Sequence, residues 1–312
     1  WALTAPSDGF SGGSVLLTGG TGFLGPFLVH NLLNQQDDGL VVLVRGDNEE
    51  AARARLLAGM EQMGLLPTTA QGERLQVVCG DLEQPGLGLS RADWQRLSTE
   101  VHTIYHNGAI VNYLYNYDTM RDANVLGTRE LVRLAFANRT KVFNHISTTF
   151  VFGWSNQDTL SESFNNQDLE LMDFGYSQTK WVSEQIVQRA MAAGLPGRIF
   201  RPALISPTLS GQGANADISI RLLAFMLKVG FGTTASNQVS FIPVDQVARN
   251  IVAISNWDEG LGQTFHVTRD EYASLGDVTD WFSTFSGKPI ELLDLDDFVD
   301  AVLLRCTPED PL

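Results

Sequence analysis

The chain has 312 residues, 44% of them hydrophobic, and a formal net charge of −15. That length suits one large or two closely joined domains, and with no unbroken apolar stretch of about 18 residues a membrane-crossing helix is not expected. The acidic balance argues against a nucleic-acid backbone as the main partner, and two cysteines, Cys79 and Cys306, make neither a disulfide framework nor a metal-binding spacing.

The first residue is Trp1 rather than Met, and the last eight read RCTPEDPL. A piece excised from a longer protein is therefore expected. No basic-then-apolar leader opens the sequence, so a reducing, cytoplasmic setting is expected and the sequon at Asn138 is incidental.

After a Gly/Ser-rich lead-in over residues 1–13, strand-like and helix-like segments alternate. SVLLT at 14–18 is a short apolar strand, and 23–34 has apolar residues at helical spacing. LVVLVR at 40–45 is a second strand, 49–60 a helix, 75–79 a third strand and 101–106 a fourth. A long amphipathic helix is predicted over 120–137, then a strand at 141–147, a helix at 176–193 and a strand at 198–201. Continuous apolar strands alternating with helices mean a parallel sheet covered on both faces. Beyond Pro207 helical patterns dominate, at 218–229, 244–255, 275–286 and 296–306, with a short strand at 263–268. The predicted fold is α/β, a Rossmann-like doubly wound parallel sheet over 1–206, with a smaller, mainly helical substrate lobe over 207–312. Some crossing of the chain between the two is expected. Polar loops at 154–173 and 207–217 are placed at the border of a cleft.

Between the first strand and its helix lies Thr18-Gly19-Gly20-Thr21-Gly22-Phe23-Leu24-Gly25. Glycines 19, 22 and 25 have GxxGxxG spacing. In that context they allow a tight turn and bring a dinucleotide pyrophosphate to free N–H groups at a helix N-terminus; the plainer reading is a packing turn. At the end of the second strand, an acidic residue would bond the ribose hydroxyls of NAD. Arg45 stands there instead, followed by Gly46, and a guanidinium suits the 2′-phosphate of NADP(H). Arg53 and Arg55 can add to that pocket; the competing reading is an ion pair of Arg45 with Asp47, Glu49 or Glu50. Asp81, after the third strand, is either an adenine acceptor or a turn residue. His106-Asn107-Gly108-Ala109 ends the fourth strand, where small residues let a cofactor lie close. His106 itself reads as structural.

Only four lysines occur, and Lys180 falls four residues after Tyr176 in GYSQTK. On a helix the two share a face. A phenol has a reference pKa of about 10, and a nearby ammonium lowers it. Tyr176 can then protonate a carbonyl oxygen that gains charge as hydride arrives, while Lys180 also holds the nicotinamide ribose. A third donor is available at the end of the fifth strand in Thr148, with Ser147 and Thr149 as competing choices.

That set, in that order, resembles the extended short-chain dehydrogenase/reductase superfamily over roughly residues 12–305. More narrowly, LVRGDNEEAARARL (43–56), YHNGAIVNYLY (105–115), NVLGTRELVRLA (124–135), GYSQTKWVSE (175–184) and RPALISP (201–207) are similar to thioester reductase domains. Such domains close some nonribosomal peptide synthetases, carboxylic acid reductases and aminoadipate reductases. The resemblance implies NADPH-dependent release of a phosphopantetheine-bound acyl or peptidyl thioester from a carrier protein, as an aldehyde or, after a second reduction, an alcohol. Tyr176 and Thr148 would stabilise the oxyanion. It carries over Gly19, Thr21, Gly22, Phe23, Leu24, Arg45, Arg55, Asp81, Leu82, Asn107, Gly108, Tyr176, Lys180, Pro202, Ala203, Leu204 and Ile205 as cofactor contacts. It also implies a monomeric domain of a larger multidomain enzyme, and family domains commonly continue past a segment like RCTPEDPL.

Two other readings compete. One is an extended-family reductase or epimerase acting on a free metabolite, which would favour an acid where Arg45 stands. The other is a catalytically dead dinucleotide-binding sensor or scaffold, against which Tyr176 and Lys180 argue. Asp294, Asp296, Asp297 and Asp300 are expected to serve a helix start rather than a metal, and no metal is expected. The run 222–227 is assigned to the core of the lobe, with an acyl channel as the alternative.

Overall fold

A computed structural model describes residues 13–35, 38–153, 155, 159–165, 172, 174–213, 218–234 and 238–307. The lead-in through residue 12, parts of the loops at 154–173 and 207–217, and residues 308–312 lie outside the described residues. The chain divides into two compact units, 1–202 with 244–267, and 203–243 with 268–312.

The first unit is built on a seven-stranded sheet. Its strands are β1 (Ser14–Thr18), β2 (Gly39–Val44), β3 (Leu75–Cys79), β4 (Val101–His106), β5 (Val142–Ile146), β6 (Gly197–Pro202) and the strand Thr264–Val267. Their spatial order is 264–267, β6, β5, β4, β1, β2, β3, and every pairing is parallel. The helices are α1 (Gly25–Gln35), α2 (Glu49–Gln62), α3 (Thr69–Arg74), α4 (Arg91–Glu100), α5 (Tyr117–Arg121), α6 (Gly127–Phe136) and α7 (Gly175–Ala192). Parallel strands buried on both faces need apolar residues at nearly every position, which SVLLT and GLVVLV supply. On one face Leu16, Val41, Leu43, Ile104, Phe143 and Ile199 form a core with Leu97, Leu131, Leu134 and Val187 from α4, α6 and α7. On the other, Val42 meets Val29 of α1 and Leu56 of α2 around Gly20, and helix Val244–Ser255 packs on α1.

From β1 the chain runs to β2 and β3 on one side, then returns to β4, β5 and β6 on the other. This reversal opens a crevice beyond the carboxyl ends of β1 and β4, the place where open α/β sheets take ligands.

The predicted helix over 120–137 is three pieces. It begins earlier, at Tyr117, because the Asn116 side chain accepts the Thr119 N–H at 3.0 Å. A π-helical turn at Asp122–Leu126 then separates α5 from α6. Within it the Asn124 carbonyl accepts hydroxyls from Thr128 at 2.6 Å and Ser183 at 2.7 Å, and its side-chain amide pairs with the backbone of Ile110. Local periodicity cannot show such a turn, since distant residues hold it. Helices α3 and α4, short and polar, start on caps from Thr68 and Ser90.

In the second unit, Phe225, Met226, Phe231 and Phe298 make a small core with Leu222 and Leu223, so the 222–227 run contributes to it. Its longer helices are Ile218–Val229, Leu275–Ser286 and Leu295–Arg305, beside two-stranded pairs 204–206 with 241–243, 231–233 with 291–293, and 238–239 with 273–274. Asp294 caps the last helix by accepting the Asp297 N–H at 2.9 Å. The expected boundary after 206 needs correction. The division falls after Pro202, and 244–267 belong to the first unit because the strand Thr264–Val267 extends the sheet beside β6.

Candidate active site

The glycine turn sits at the crevice. Gly19 has φ +73°, and a side chain there would lie 2.6 Å from the Gly108 nitrogen. A side chain at Gly25 would lie 2.3 Å from the Gly19 oxygen. Both positions need glycine for the turn itself. Gly22 differs: its φ is not positive, and an added Cβ would meet only the Gly19 oxygen at 3.6 Å. Protein packing leaves room there, so the space above Gly22 suits a group brought against the backbone. The first turn of α1, with its unpaired N–H groups, lies directly beyond and favours an anion. This chain's residues therefore fit a dinucleotide pyrophosphate. Thr21 and Phe23 are within the turn and Leu24 is buried.

The end of β4 is tied to this turn. Asn107 donates to the Gly19 carbonyl at 3.0 Å, and the Gly108 N–H donates to Thr18 Oγ1, also at 3.0 Å. Leu82 packs against Gly108 and Gly127. His106 is buried between Thr18 and Thr128, with a hydrogen bond to each, and burial holds it well below its ordinary pKa. Asp81 Oδ1 accepts the Glu83 N–H at 3.0 Å, a turn contact.

Arg45 is exposed at the end of β2, and among the described residues no ion pair joins it to Asp47, Glu49 or Glu50. Arg55, one helix away, reaches back to the Arg45 carbonyl at 3.3 Å. The two guanidinium-bearing residues are thus neighbours, whereas Arg53 is turned to the Leu75 carbonyl at 2.9 Å. Pro202 ends β6 in the first unit. Ala203, Leu204 and Ile205 fall in the second, where Leu204 and Ile205 pair with Phe241 and Ile242.

Beyond β5, the extended Thr148 caps a short 3₁₀ turn, accepting the Phe150 N–H at 3.2 Å. Its hydroxyl also lies close enough to Tyr176 to pull the phenol pKa down. Of the three candidate hydroxyls, then, Thr148 is the one placed against the phenol; Ser147 Oγ is buried without a hydrogen-bond partner among the described residues. Tyr176 is 8% exposed and Lys180 3%, one turn apart on α7.

Burial dominates the electrostatics of both groups. Burial raises the Tyr176 pKa above the ordinary phenol range, Tyr113 raises it further, and the nearby Thr148 hydroxyl pulls against both. Lys180 is itself lowered to about 8 by burial, against the pull of Glu184, and its ammonium donates to the Ile146 carbonyl at 2.6 Å. Desolvation is the largest influence on the phenol, which is held protonated, the state a proton donor needs. Sequence reasoning assigned no role to Tyr113, Asn124 or Arg201. Asn124 lies in the segment NVLGT, but its significance depends on partners at 110, 128, 179 and 183.

A family model described as male sterility protein matches residues 17–251. A linear gramicidin synthase from Brevibacillus parabrevis is 35% identical over 296 residues, 93% of this chain and 6% of that protein. The chain thus spans a small part of the length of this relative. Among solved structures, the terminal R domain from the myxalamid PKS-NRPS biosynthetic pathway superposes with a TM-score of 0.92 at 34% identity, covering 96% of this chain and 77% of that one. A thiolation-reductase di-domain from an archaeal non-ribosomal peptide synthetase superposes with a TM-score of 0.77 at 25% identity, covering 95% and 64%.

Proposed function

Since the chain belongs to the male sterility protein family, whose dinucleotide-binding sheet it carries over residues 17–251, we propose that it is an NADPH-dependent reductase domain that releases a carrier-bound acyl or peptidyl thioester. The observation that carries this reading is that buried Thr148, Tyr176 and Lys180 are brought together, the last two one helical turn apart on α7, beyond the same sheet edge as the glycine turn. The likeness to the myxalamid R domain and to the archaeal thiolation-reductase di-domain supports a phosphopantetheine-bearing carrier protein as partner. Arg45 and Arg55, adjacent at the end of β2, support NADPH over NADH.

When bound, NADPH supplies hydride to the thioester carbonyl carbon. Thr148 and Tyr176 donate hydrogen bonds to the carbonyl oxygen as it becomes an oxyanion, and the protonated phenol neutralises it. Lys180 and the adjacent turn residues hold the nicotinamide ribose. The hemithioacetal then collapses: its C–S bond breaks, the carbonyl re-forms as an aldehyde, and the thiolate of the carrier takes a proton. A second round on the same residues gives the alcohol. The domain acts as a monomeric part of a multidomain cytoplasmic enzyme. Among the described residues no helix is long and apolar enough to cross a membrane.

The test is to mix the domain with NADPH and an acyl-phosphopantetheine thioester, follow NADPH absorbance, and identify the product. Thioester-dependent oxidation with aldehyde or alcohol is expected. A folded, NADPH-binding domain that consumes no NADPH with any thioester, yet reduces a free ketone, would overturn the reading.

A further inference from the structure

The loop after β4 runs Ala109-Ile110-Val111-Asn112-Tyr113-Leu114-Tyr115-Asn116 and contains no charged residue, in a chain with 36 acidic and 21 basic side chains. It is fixed along its length. Ile110 is held by both ends of the Asn124 amide, at 2.7 and 3.0 Å. Asn112 accepts the N–H groups of Leu114 and Tyr115 at 2.8 and 3.0 Å. At its far end the loop lies against the start of α7 so closely that a side chain on Gly175 would be 2.4–2.6 Å from backbone atoms of 115–117. Gly175 directly precedes Tyr176, so the loop and the phenol are set by one contact.

From this loop Tyr113 turns inward. Its ring lies 5.9 Å from Tyr176, 5.5 Å from Phe174 and 5.6 Å from Phe150, tilted or edge-on to each. Phe150 and Phe174 also meet edge-on at 6.4 Å. Edge-to-face aromatic contacts favour one orientation of each ring. Next to Tyr113 the loop exposes Val111 at 54% and Leu114 at 91%. The phenol is thus bordered by an aromatic wall that continues into an apolar rim.

We propose that Tyr113 is the specificity-determining residue of the acyl site, its ring forming with Phe150 and Phe174 an apolar wall against Tyr176 that selects thioesters whose acyl group is uncharged beside the reacting carbonyl. This rests on the reductase reading above. A carboxylate placed against that wall would exchange water for ring edges and apolar side chains, which is costly. Tyr113 is also a positioning residue for the phenol, through the ring contact.

The experiment compares butyryl- and malonyl-phosphopantetheine thioesters, close in size and different in charge, together with inert thioether analogues of both. Wild-type domain should favour butyryl by about tenfold or more, in kcat/KM and in the affinity of the inert analogue. Tyr113→Arg should narrow or reverse both preferences, and Tyr113→Leu should keep them while lowering kcat for both substrates. NADPH affinity, unchanged in both variants, reports a folded domain. Equal handling of the two acyl groups by the wild type would overturn the proposal, as would a preference that Tyr113→Arg leaves untouched. If neither thioester is reduced but the inert analogues bind with a Tyr113-dependent preference, reduction fails as a reading and the wall stands.

Discussion

Arg201 clasps Glu184 through two hydrogen bonds, Nε to Oε1 at 3.0 Å and Nη2 to Oε2 at 2.7 Å, with both side chains 1% exposed. The pair joins β6 to α7 one turn beyond Lys180. The same guanidinium donates to the Phe164 carbonyl at 3.0 Å, and Glu162 accepts the His266 N–H at 2.8 Å. One buried cation therefore ties α7 to the sheet and to the segment around 162–164. Arg201→Met leaves a buried carboxylate unpaired and should destabilise the domain by about 3–5 kcal/mol in urea unfolding. The double variant Arg201→Met/Glu184→Leu should recover much of that loss, because no charge is then stranded; equal losses in the single and double variants would contradict this account.

Gly22 and Gly25 should behave oppositely. Gly25→Ala drives a methyl into the Gly19 carbonyl and should lower the thermal midpoint markedly. Gly22→Ala should change stability by less than about 0.5 kcal/mol and yet weaken NADP(H) binding about tenfold or more, since the methyl occupies the approach of the pyrophosphate. Calorimetry and cofactor titration on the two variants separate the cases.

Arg45→Asp replaces a cation with an anion where a 2′-phosphate is expected. Losing a charge-assisted hydrogen bond, worth about 1.5–3 kcal/mol, and gaining repulsion should raise the Kd for NADPH by about tenfold to a hundredfold or more. The Kd for NADH should change far less. Parallel losses for both cofactors would show that Arg45 does not read the phosphate.

Tyr176→Phe should lower kcat by about a hundredfold to ten-thousandfold, the usual range for a general acid, with NADPH affinity nearly unchanged. Thr148→Val should cost less, because one donor of two remains. Stopped-flow single turnovers on both variants give the comparison directly, and an unaltered rate in Tyr176→Phe would remove the proton-donor role.

Lys180 makes stability depend on pH. Its pKa is about 8 when folded against an ordinary value of 10.5, so between those limits the unfolded chain binds more protons and stability rises with pH. The gain is lost as pH falls through 8 and amounts to roughly 3 kcal/mol over the full window. Tyr176 works in reverse above about pH 10, because its folded pKa is raised. Urea unfolding between pH 8 and 10 should show the rise in wild type and a flatter profile in Lys180→Met. Identical profiles would mean that Lys180 is not held at a depressed pKa.

Several features were legible because they are local. The strands 75–79 and 101–106 and the helices 218–229, 244–255 and 275–286 fall where apolar periodicity puts them. The Asp294 cluster behaves as a helix cap, as N-terminal charge preference suggests. The π turn at 122–126 was not legible, because hydroxyls from 128 and 183 and the backbone of 110 maintain it. Crossing of the chain was expected, but that 244–267 is the segment that returns to the first unit depends on strand pairing with β6.

The order of residues alone determined the doubly wound sheet, the glycine turn at 19–25, and Tyr176 and Lys180 on one helix face, since these depend on spacing along the chain. Tertiary structure decided which hydroxyl meets the phenol, where the Lys180 ammonium goes, and how Tyr113 closes on Tyr176. Those outcomes turn on desolvation and on contacts between segments 28 to 63 residues apart, as in Thr148 with Tyr176, Lys180 with Ile146 and Tyr113 with Tyr176. Burial, which exists only in the folded chain, raises the Tyr176 pKa and lowers that of Lys180.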